Sequence, residues 1–161
     1  MKEPMSIYGY EKLENELKDL IEVQRPNVVK EIDVAREQGD LKENAEYHAA
    51  REKQSFIEGR ISEIKDILSR AVVIDPSSYI HDSVKFGSTV EIINCDDDSV
   101  NKYTLVGIPE ANLEKGYISV SSPIAKSMLG KKEGDIFEVS LPRGKAEFEI
   151  SSIEYIELKF D

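Results

Sequence analysis

The chain has 161 residues, of which 40% are hydrophobic and 33% charged, and its formal net charge is −11. This length predicts one ordinary domain or two small ones. No stretch approaches the ~18 apolar residues of a membrane span, and the first residues lack the apolar run of a signal peptide, so we expect neither. Cys95 is the single cysteine, which excludes an internal disulfide and favours a reducing compartment. With only two histidines beside it, a Cys/His zinc site is not expected.

The acidic charge is shared evenly along the chain. Residues 1–75 carry 12 basic and 17 acidic residues, and residues 76–161 carry 9 and 15, so the two halves have net charges of −5 and −6. Proteins that coat DNA or RNA depend on many Lys and Arg contacts to phosphate. We therefore expect any contact with nucleic acid to be local or made through a partner.

The first half has the periodicity of packed helices. Apolar residues recur at steps of three and four in two runs: Tyr10, Leu13, Leu17, Leu20, Val28, Ile32 and Ala35, then Ile57, Ile61, Ile64, Leu68 and Ala71. Such a seam is typical of helices that lie side by side. It predicts a hairpin of two long antiparallel helices, residues 7–38 and 41–72, each roughly 45 Å long. Pro26 is predicted to kink the first arm rather than end it, because the seam continues beyond it.

The break between the two runs reads Gly39-Asp40-Leu41-Lys42-Glu43-Asn44. Glycine is favoured just past a helix end, and Asp40 with Glu43 three residues later fits a capping-box-like start of the second helix. From the residues alone, two interpretations of these acids stay open. They cap a helix, or they form a functional tip, because Mg²⁺ prefers carboxylate oxygens and a partner can supply the remaining ligands.

The second half changes to a period of two after Pro76, which is typical of strands. The predicted strands are residues 84–93, 102–108, 117–120, 136–141 and 147–156. One short helix is predicted, with Ser122 as its N-cap, Pro123 at its first position, residues 124–129 following and Gly130 after its end. The aromatic residues expected in the core are Phe86, Tyr103, Phe137 and Phe148. The sequence thus predicts an α+β chain of two domains, a helical hairpin over 1–75 and a mostly antiparallel sheet domain over 76–161.

Two long motifs resemble the Gre family of bacterial transcript-cleavage factors. Around the break the chain reads AREQGDLKENAEYHAAREKQ over 35–54, followed by FIEGRI at 56–61 and AVVID at 71–75, and the second half contains ISVSSPIAKSMLGKKEGD over 118–135. Their order and spacing resemble the family over almost the whole chain. The details resemble the GreA type more than the GreB type, because the larger basic face expected of the GreB type is missing. The resemblance implies an N-terminal antiparallel coiled coil and a C-terminal domain of FKBP-like fold.

The resemblance also implies a function at bacterial RNA polymerase that has slid backwards. The coiled coil enters the secondary channel, and its tip helps the polymerase hydrolyse the 3′ end of the backtracked RNA, so that transcription resumes. The two catalytic acids implied for this chain are Asp40 and Glu43, which contribute to a weakly held second Mg²⁺ of the polymerase. The chain is then an accessory factor rather than an enzyme, with no cofactor of its own.

Further roles follow from the same resemblance. Arg36 and Arg51 are implied to hold the RNA phosphates, while their alternative is ordinary ion pairing on the helix surface. Lys53 is a further candidate for this basic patch, and Glu37 and Glu46 are expected to be solvated. Ser121 and Pro123 match the family segment that docks at the channel rim, although Ser122-Pro123 is also simply a good helix start.

Two other functions compete with this interpretation. One is a relative that occupies the polymerase channel but inhibits it, and the other is a chaperone or prolyl isomerase acting through the C-terminal domain alone. The unmodified GDLKEN tip disfavours the first, and the lack of a ligand-pocket signature disfavours the second. A monomer located in the bacterial cytoplasm is expected.

Overall fold

Two units make up the computed structural model, which describes residues 2–39 and 44–160. One unit runs from Tyr10 to Arg70, and the other combines the residues up to Gly9 with those from Ala71 onward. This confirms the predicted fold class of a helical hairpin and a mostly antiparallel sheet with one short helix. No helix within the described ranges is long and apolar enough to cross a membrane.

The helical unit is built on the predicted apolar seam. Helix α1 covers Ile7–Asp19, α2 covers Arg25–Arg36 and α3 covers Ala45–Arg70. The buried seam residues are Leu13, Leu20, Val28, Ile32 and Ala35 on the first arm and Ala50, Ile57, Ile61 and Ile64 on the second. Because the flanking positions are charged and exposed, the seam is the main apolar contact between the arms.

Pro26 changes the helix geometry without ending the arm. A five-residue π-helical turn, Leu20–Gln24, separates α1 from α2, and the amide of Arg25 donates to the carbonyl of Leu20. Proline has no amide hydrogen, and its ring collides with the carbonyl four residues before it. The wider π turn accommodates that collision, and both α1 and α2 keep their apolar residues in the seam.

Ion pairs connect the two arms alongside the seam. Arg60 forms two hydrogen bonds with Glu16, from Nε to Oε2 at 2.5 Å and from Nη2 to Oε1 at 2.9 Å. Arg25 makes a similar pair of bonds with Glu58 nearer the middle of α3. The hydrogen bonds from Arg60 hold the pKa of Glu16 below its ordinary value.

The second unit contains a five-stranded sheet in the order β5-β4-β3-β7-β6. Its strands are β3 (Ser88–Asn94), β4 (Val100–Val106), β5 (Tyr117–Ser119), β6 (Ile136–Leu141) and β7 (Gly144–Tyr155). Only β4 and β5 are parallel, and the remaining neighbours are antiparallel. Helix α4 (Pro123–Met128) packs its buried Ala125 and Met128 on the sheet, and Phe137 and Phe148 stack in the same core.

The predicted boundary at residue 75 differs from the division that the structure shows. Strand β1 (Glu3–Ser6) pairs in parallel with β2 (Ala71–Ile74), and both lie in the sheet-containing unit. The second arm therefore ends at Arg70 rather than at residue 72. Short apolar runs such as Ala71–Ile74 continue a helical pattern in sequence, and only their pairing with the distant N-terminal strand identifies them as extended.

The first predicted strand also begins later than expected. Residues 85–88 form a turn in which Gly87 has φ +83° and the amide of Ser88 bonds to the carbonyl of Lys85. A side chain on Gly87 would collide with Pro76. The glycine therefore lets the chain enter β3 through a backbone conformation that other residues rarely adopt.

Candidate functional site

The tip of the hairpin joins the end of α2 to the start of α3. Helix α2 ends at Arg36, the amide of Gln38 bonds to the carbonyl of Ala35, and Gly39 has φ +126°. The predicted catalytic acids, Asp40 and Glu43, lie outside the described residues. The structure therefore describes the two flanks of this segment.

Asn44 forms the flank that leads into α3. Its Oδ1 accepts a hydrogen bond from the amide of Tyr47 at 3.0 Å, which is the arrangement of an N-cap. Its Nδ2 donates to the carbonyl of Ala35 at 2.5 Å, so one side chain joins the ends of both arms. In the sequence, residues 40–43 connect the end of α2 to the start of α3, and Asn44 holds these two helix ends together.

The start predicted for the second arm is corrected by this geometry. We expected the helix from residue 41, with Asp40 as the first capping residue, whereas α3 begins at Ala45 and Asn44 caps it. Asparagine is among the preferred N-cap residues, so the sequence did contain the signal. The D-x-x-E pattern obscured it because it resembles a capping box three residues earlier.

Arg36, Tyr47 and Arg51 form a basic and aromatic surface next to this tip. The Arg36 guanidinium carbon lies 5.9 Å from the centre of the Tyr47 ring, within the range of a cation–π contact. Arg51 follows Tyr47 by four residues and therefore lies on the same face of α3, one turn further along. His48 packs edge-on against the Tyr47 ring, with 5.5 Å between the ring centres.

The charges around this surface are compensated unequally. Lys53, the additional candidate, is paired with Glu31 at 3.1 Å. Arg36 and Arg51 have no ion-pair partner among the residues that the structure describes. Glu37 and Glu46 are exposed, as expected. The assignment of Arg36 and Arg51 to RNA contact stays a prediction, since their neighbours Asp40 and Glu43 lie outside the described residues.

A groove of about 510 Å³ lies between α2 and α3 beside the same tip. Its apolar residues are Val34, Ala35, Ala49 and Ala50, and charged residues surround them. Small side chains at these positions leave the seam open on one side. No sequence signal predicts this groove, because alanines at seam positions have the same pattern as ordinary core residues.

The second predicted contact surface lies at the start of α4. Ser122 caps the helix, accepting from the amide of Ala125 at 3.4 Å, and Pro123 occupies the first position, where no amide hydrogen is needed. Ser121 and Pro123 are exposed on either side of the cap, and the Ser121 hydroxyl lies 2.7 Å from that of Ser119. The cap explains Ser122, while the contact of Ser121 and Pro123 with a partner stays a prediction.

The side chains predicted to bind a metal are the carboxylates of Asp40 and Glu43, which offer only oxygen atoms as ligands. Within residues 2–39 and 44–160, no group of three or more His, Cys, Asp or Glu side chains is arranged to hold a metal ion. Asp40 and Glu43 add two carboxylates in sequence, a donor type that suits Mg²⁺. Two side chains are too few for a complete site, so these residues fit only a metal whose other ligands come from elsewhere.

Comparison with known proteins covers nearly the whole chain. Residues 3–73 match the family described as "Transcription elongation factor, N-terminal", and residues 79–155 match "Transcription elongation factor, GreA/GreB, C-term". Proteins called transcription elongation factor GreA are 52% identical in Wolinella succinogenes, over 99% of both chains, and 57% identical in Helicobacter pylori, over 99% of this chain and 98% of that one. The solved structure of GreA factor homolog 1 from Thermus thermophilus aligns with 96% of this chain and 99% of its own, at 29% identity and a TM-score of 0.44.

Proposed function

Because the chain belongs to the GreA/GreB family of transcription elongation factors, we propose that it binds bacterial RNA polymerase and stimulates cleavage of backtracked RNA by the polymerase. The hairpin tip enters the secondary channel and brings Asp40 and Glu43 to the polymerase active site. The chain acts as an accessory factor, and the polymerase performs the hydrolysis.

The observation that carries the proposal is the double role of Asn44. By bonding to Ala35 and to the amide of Tyr47, it joins the two arms directly beside the segment that carries both acids. A tip that is fixed at its base can present a pair of carboxylates with little loss of conformational freedom on binding.

Magnesium fits the proposed role of these two residues. Asp40 and Glu43 would hold the ion together with ligands from the polymerase, and a bound Mg²⁺ would supply Lewis acidity for phosphodiester hydrolysis. The isolated chain is expected to bind Mg²⁺ weakly, because two carboxylates satisfy only part of its coordination.

The basic surface next to the tip supports contact with the RNA end. Arg36 and Arg51 contribute charge that no described carboxylate neutralises, and Tyr47 provides an aromatic face on which a base can stack. The net charge of −11 opposes extended binding to nucleic acid. This surface therefore serves a short RNA segment that the polymerase already holds.

The exposed pair at the start of α4 supports docking at the channel rim. Ser121 and Pro123 flank a rigid helix cap, so that a partner meets a surface fixed by Ser122. Docking by this unit raises the local concentration of the tip at its target, which a hairpin alone would not achieve.

The test is RNA cleavage in stalled, backtracked bacterial elongation complexes. We expect the chain to stimulate cleavage, and Asp40→Asn or Glu43→Gln to abolish the stimulation while binding to polymerase is retained. Glu46→Gln is the matched control, since it removes an exposed carboxylate from the first turn of α3. If the intact chain binds polymerase but does not stimulate cleavage, it is the inhibitory type of relative. Prolyl isomerase or chaperone activity in the absence of polymerase would instead favour a function of the C-terminal domain alone.

A further inference from the structure

A cavity of about 270 Å³ lies over β3, β4 and β5 in the sheet-containing unit, well away in sequence from the tip. The residues that line it are Thr89, Lys102, Thr104, Lys115, Tyr117, Ile156 and Glu157. Since side chains alternate along a strand, Thr89 and Thr104 face away from the core that contains Val90 and Leu105. The cavity therefore belongs to the outer face of the sheet.

The C-terminal tail forms one wall of this cavity. Leu158 is only 4% exposed, the amide of Lys159 donates to the Tyr117 hydroxyl at 3.1 Å, and the ring of Phe160 packs edge-on against that of Tyr117. Lys115 donates from Nζ to the carbonyl of Lys159 at 3.1 Å. The tail is thus held by several independent contacts, and the cavity between it and the sheet is a defined feature of this unit.

The lining offers several hydrogen-bond donors to a guest. Thr89 and Thr104 are 3% and 6% exposed, and their hydroxyl oxygens lie 2.8 Å apart, which uses one of their two hydroxyl hydrogens. Within the described part of the chain, the other hydrogen has no acceptor. The Tyr117 hydroxyl accepts from Lys159, so its own hydrogen is also available.

Two lysines add positive charge to these donors. Lys102 pairs with Glu154 at 3.1 Å, and Lys115 bonds to a backbone carbonyl, so each ammonium group has hydrogens left to donate. Glu157 is the one carboxylate in the lining. A buried donor without an acceptor is costly, and therefore the cavity favours a guest that supplies acceptor oxygens.

We propose that this cavity binds a small oxyanion of the phosphate or carboxylate type. The two threonine hydroxyls and the Tyr117 hydroxyl donate to its oxygen atoms, and Lys102 and Lys115 balance its charge. The volume lies just below the ~300–1,000 Å³ of pockets for drug-sized ligands, which restricts the guest to a small molecule or group. The net charge of −11 repels anions at long range, so affinity near the millimolar level is expected, about −4 kcal/mol.

The proposal is tested with the full chain by two-dimensional NMR of its backbone amides at constant ionic strength. Sodium phosphate and sodium acetate are titrated separately, with sodium chloride as the reference. We expect saturable shifts at Thr89, Thr104 and Tyr117 with at least one of the two anions, and the stronger binder identifies the preferred type. The proposal would be overturned if phosphate and acetate caused the same shifts as sodium chloride. Shifts scattered over the surface without saturation would overturn it as well.

Variants separate this cavity from general surface charge. Lys115→Gln is expected to weaken binding about tenfold, as one charge-assisted hydrogen bond is lost, and the double variant Thr89→Val with Thr104→Val to abolish it. Lys145→Gln is the matched control, because Lys145 pairs with Glu138 across β6 and β7 and does not line the cavity. Glu157→Gln should tighten binding by removing the competing carboxylate. Equal weakening in the Lys145 control, or unchanged binding in the double variant, would contradict the assignment.

Discussion

The backbone amide of Ser6 donates a hydrogen bond to Oε1 of Glu110 across 2.8 Å, although the two residues are 104 positions apart. The Ser6 hydroxyl donates to Oε2 of the same carboxylate, and the amide of Gly107 donates to Oε1 at 3.1 Å. Glu110 is only 5% exposed. A buried acid thereby fixes the N-terminal strand to the turn after β4.

Two glycines allow this close approach. A side chain on Gly9 would collide with the carboxylate of Glu110, and one on Gly107 would collide with the carbonyl of Pro4. Neither position requires positive φ, so space rather than backbone conformation selects glycine here. The bond from Gly107 to Glu110 is local, because a glutamate at the third position of a short helix accepts from the residue that precedes the helix. The two bonds from Ser6 have no such local signature.

The first prediction concerns the pH dependence of this contact. Burial raises the pKa of Glu110 above its ordinary value of 4.5, although three hydrogen bonds act in the opposite direction. A group with a raised pKa in the folded state stabilises the fold below the unfolded pKa, and this contribution is lost as the pH rises through the folded pKa. Glu110→Gln should therefore gain stability relative to the original chain between about pH 4 and pH 7, as measured by urea unfolding at both values.

Ser6→Ala is the companion variant for this test. It removes the hydroxyl donor and should raise the pKa of Glu110 further, so that stability falls more steeply with rising pH. If the stability difference between Glu110→Gln and the original chain does not change with pH, the carboxylate titrates alike in both states and the prediction fails.

The second prediction concerns the hairpin, where a carboxylate should make stability fall as the pH is lowered, the opposite of Glu110. Hydrogen bonds from Arg60 lower the pKa of Glu16 from its ordinary 4.5, so its contribution is present above that value and is lost as the pH falls through the folded pKa. Glu16→Gln should cost at most about 1 kcal/mol at pH 7, because the pair is partly exposed. The difference should shrink in urea unfolding as the pH is lowered from 7 to below the ordinary pKa of 4.5.

Glu58→Gln provides the control for that experiment. Glu58 accepts two hydrogen bonds from Arg25, but the side chains of this pair are 38% and 49% exposed, more than those of Arg60 and Glu16. Its removal should change stability less than the removal of Glu16. A larger effect at Glu58 would show that solvent exposure does not set the strength of the pairs between the arms.

Much of the fold could be predicted because its signals are local. The apolar steps of three and four placed Ile57, Ile61 and Ile64 in the seam, and all three are buried. The Ser122-Pro123 start and Gly130 end of α4 were likewise readable from capping preferences. The kink expected at Pro26 is a π turn, and its form depends on keeping register with the opposite arm, which a single helix pattern does not contain.

Contacts between distant segments account for most of what the sequence did not reveal. Strands β1 and β2 have only four residues each, which is too short to show a periodicity. They pair with each other although the sequence of the helical unit lies between them. At the tip, the resemblance predicts the chemistry, whereas the D-x-x-E pattern obscures Asn44 as the cap. The oxyanion cavity combines residues of three strands and the C-terminal tail, none of which forms a motif.

The third prediction concerns Asn44. Asn44→Ala removes both the cap on Tyr47 and the bond to Ala35, and the loss of a cap costs about 1 kcal/mol. Amide hydrogen exchange should therefore accelerate at Tyr47 and in the first turn of α3, while the middle of the helix around Ile57 is unchanged. Asn44→Asp keeps the acceptor and loses the donor, so it should restore protection at Tyr47. Unchanged exchange in Asn44→Ala would show that Asn44 does not fix the tip.

The fourth prediction separates the proposed RNA contact from stability. Arg51 is exposed and makes no ion pair with any described residue, so Arg51→Ala should change the free energy of unfolding by less than about 0.5 kcal/mol. In the elongation-complex assay the same variant should reduce stimulated cleavage, with the larger loss at low salt, because the phosphate contact that it lacks is least screened there.

Arg25→Ala is the matched control for Arg51→Ala, since it also removes one arginine from the hairpin. Arg25 lies at the start of α2 and is already paired with Glu58, so its charge is not available to a phosphate. We expect it to lose some stability through the broken pair and to retain stimulated cleavage. Equal loss of cleavage in the two variants would mean that total charge governs activity, and the assignment of Arg51 to the RNA would then be wrong.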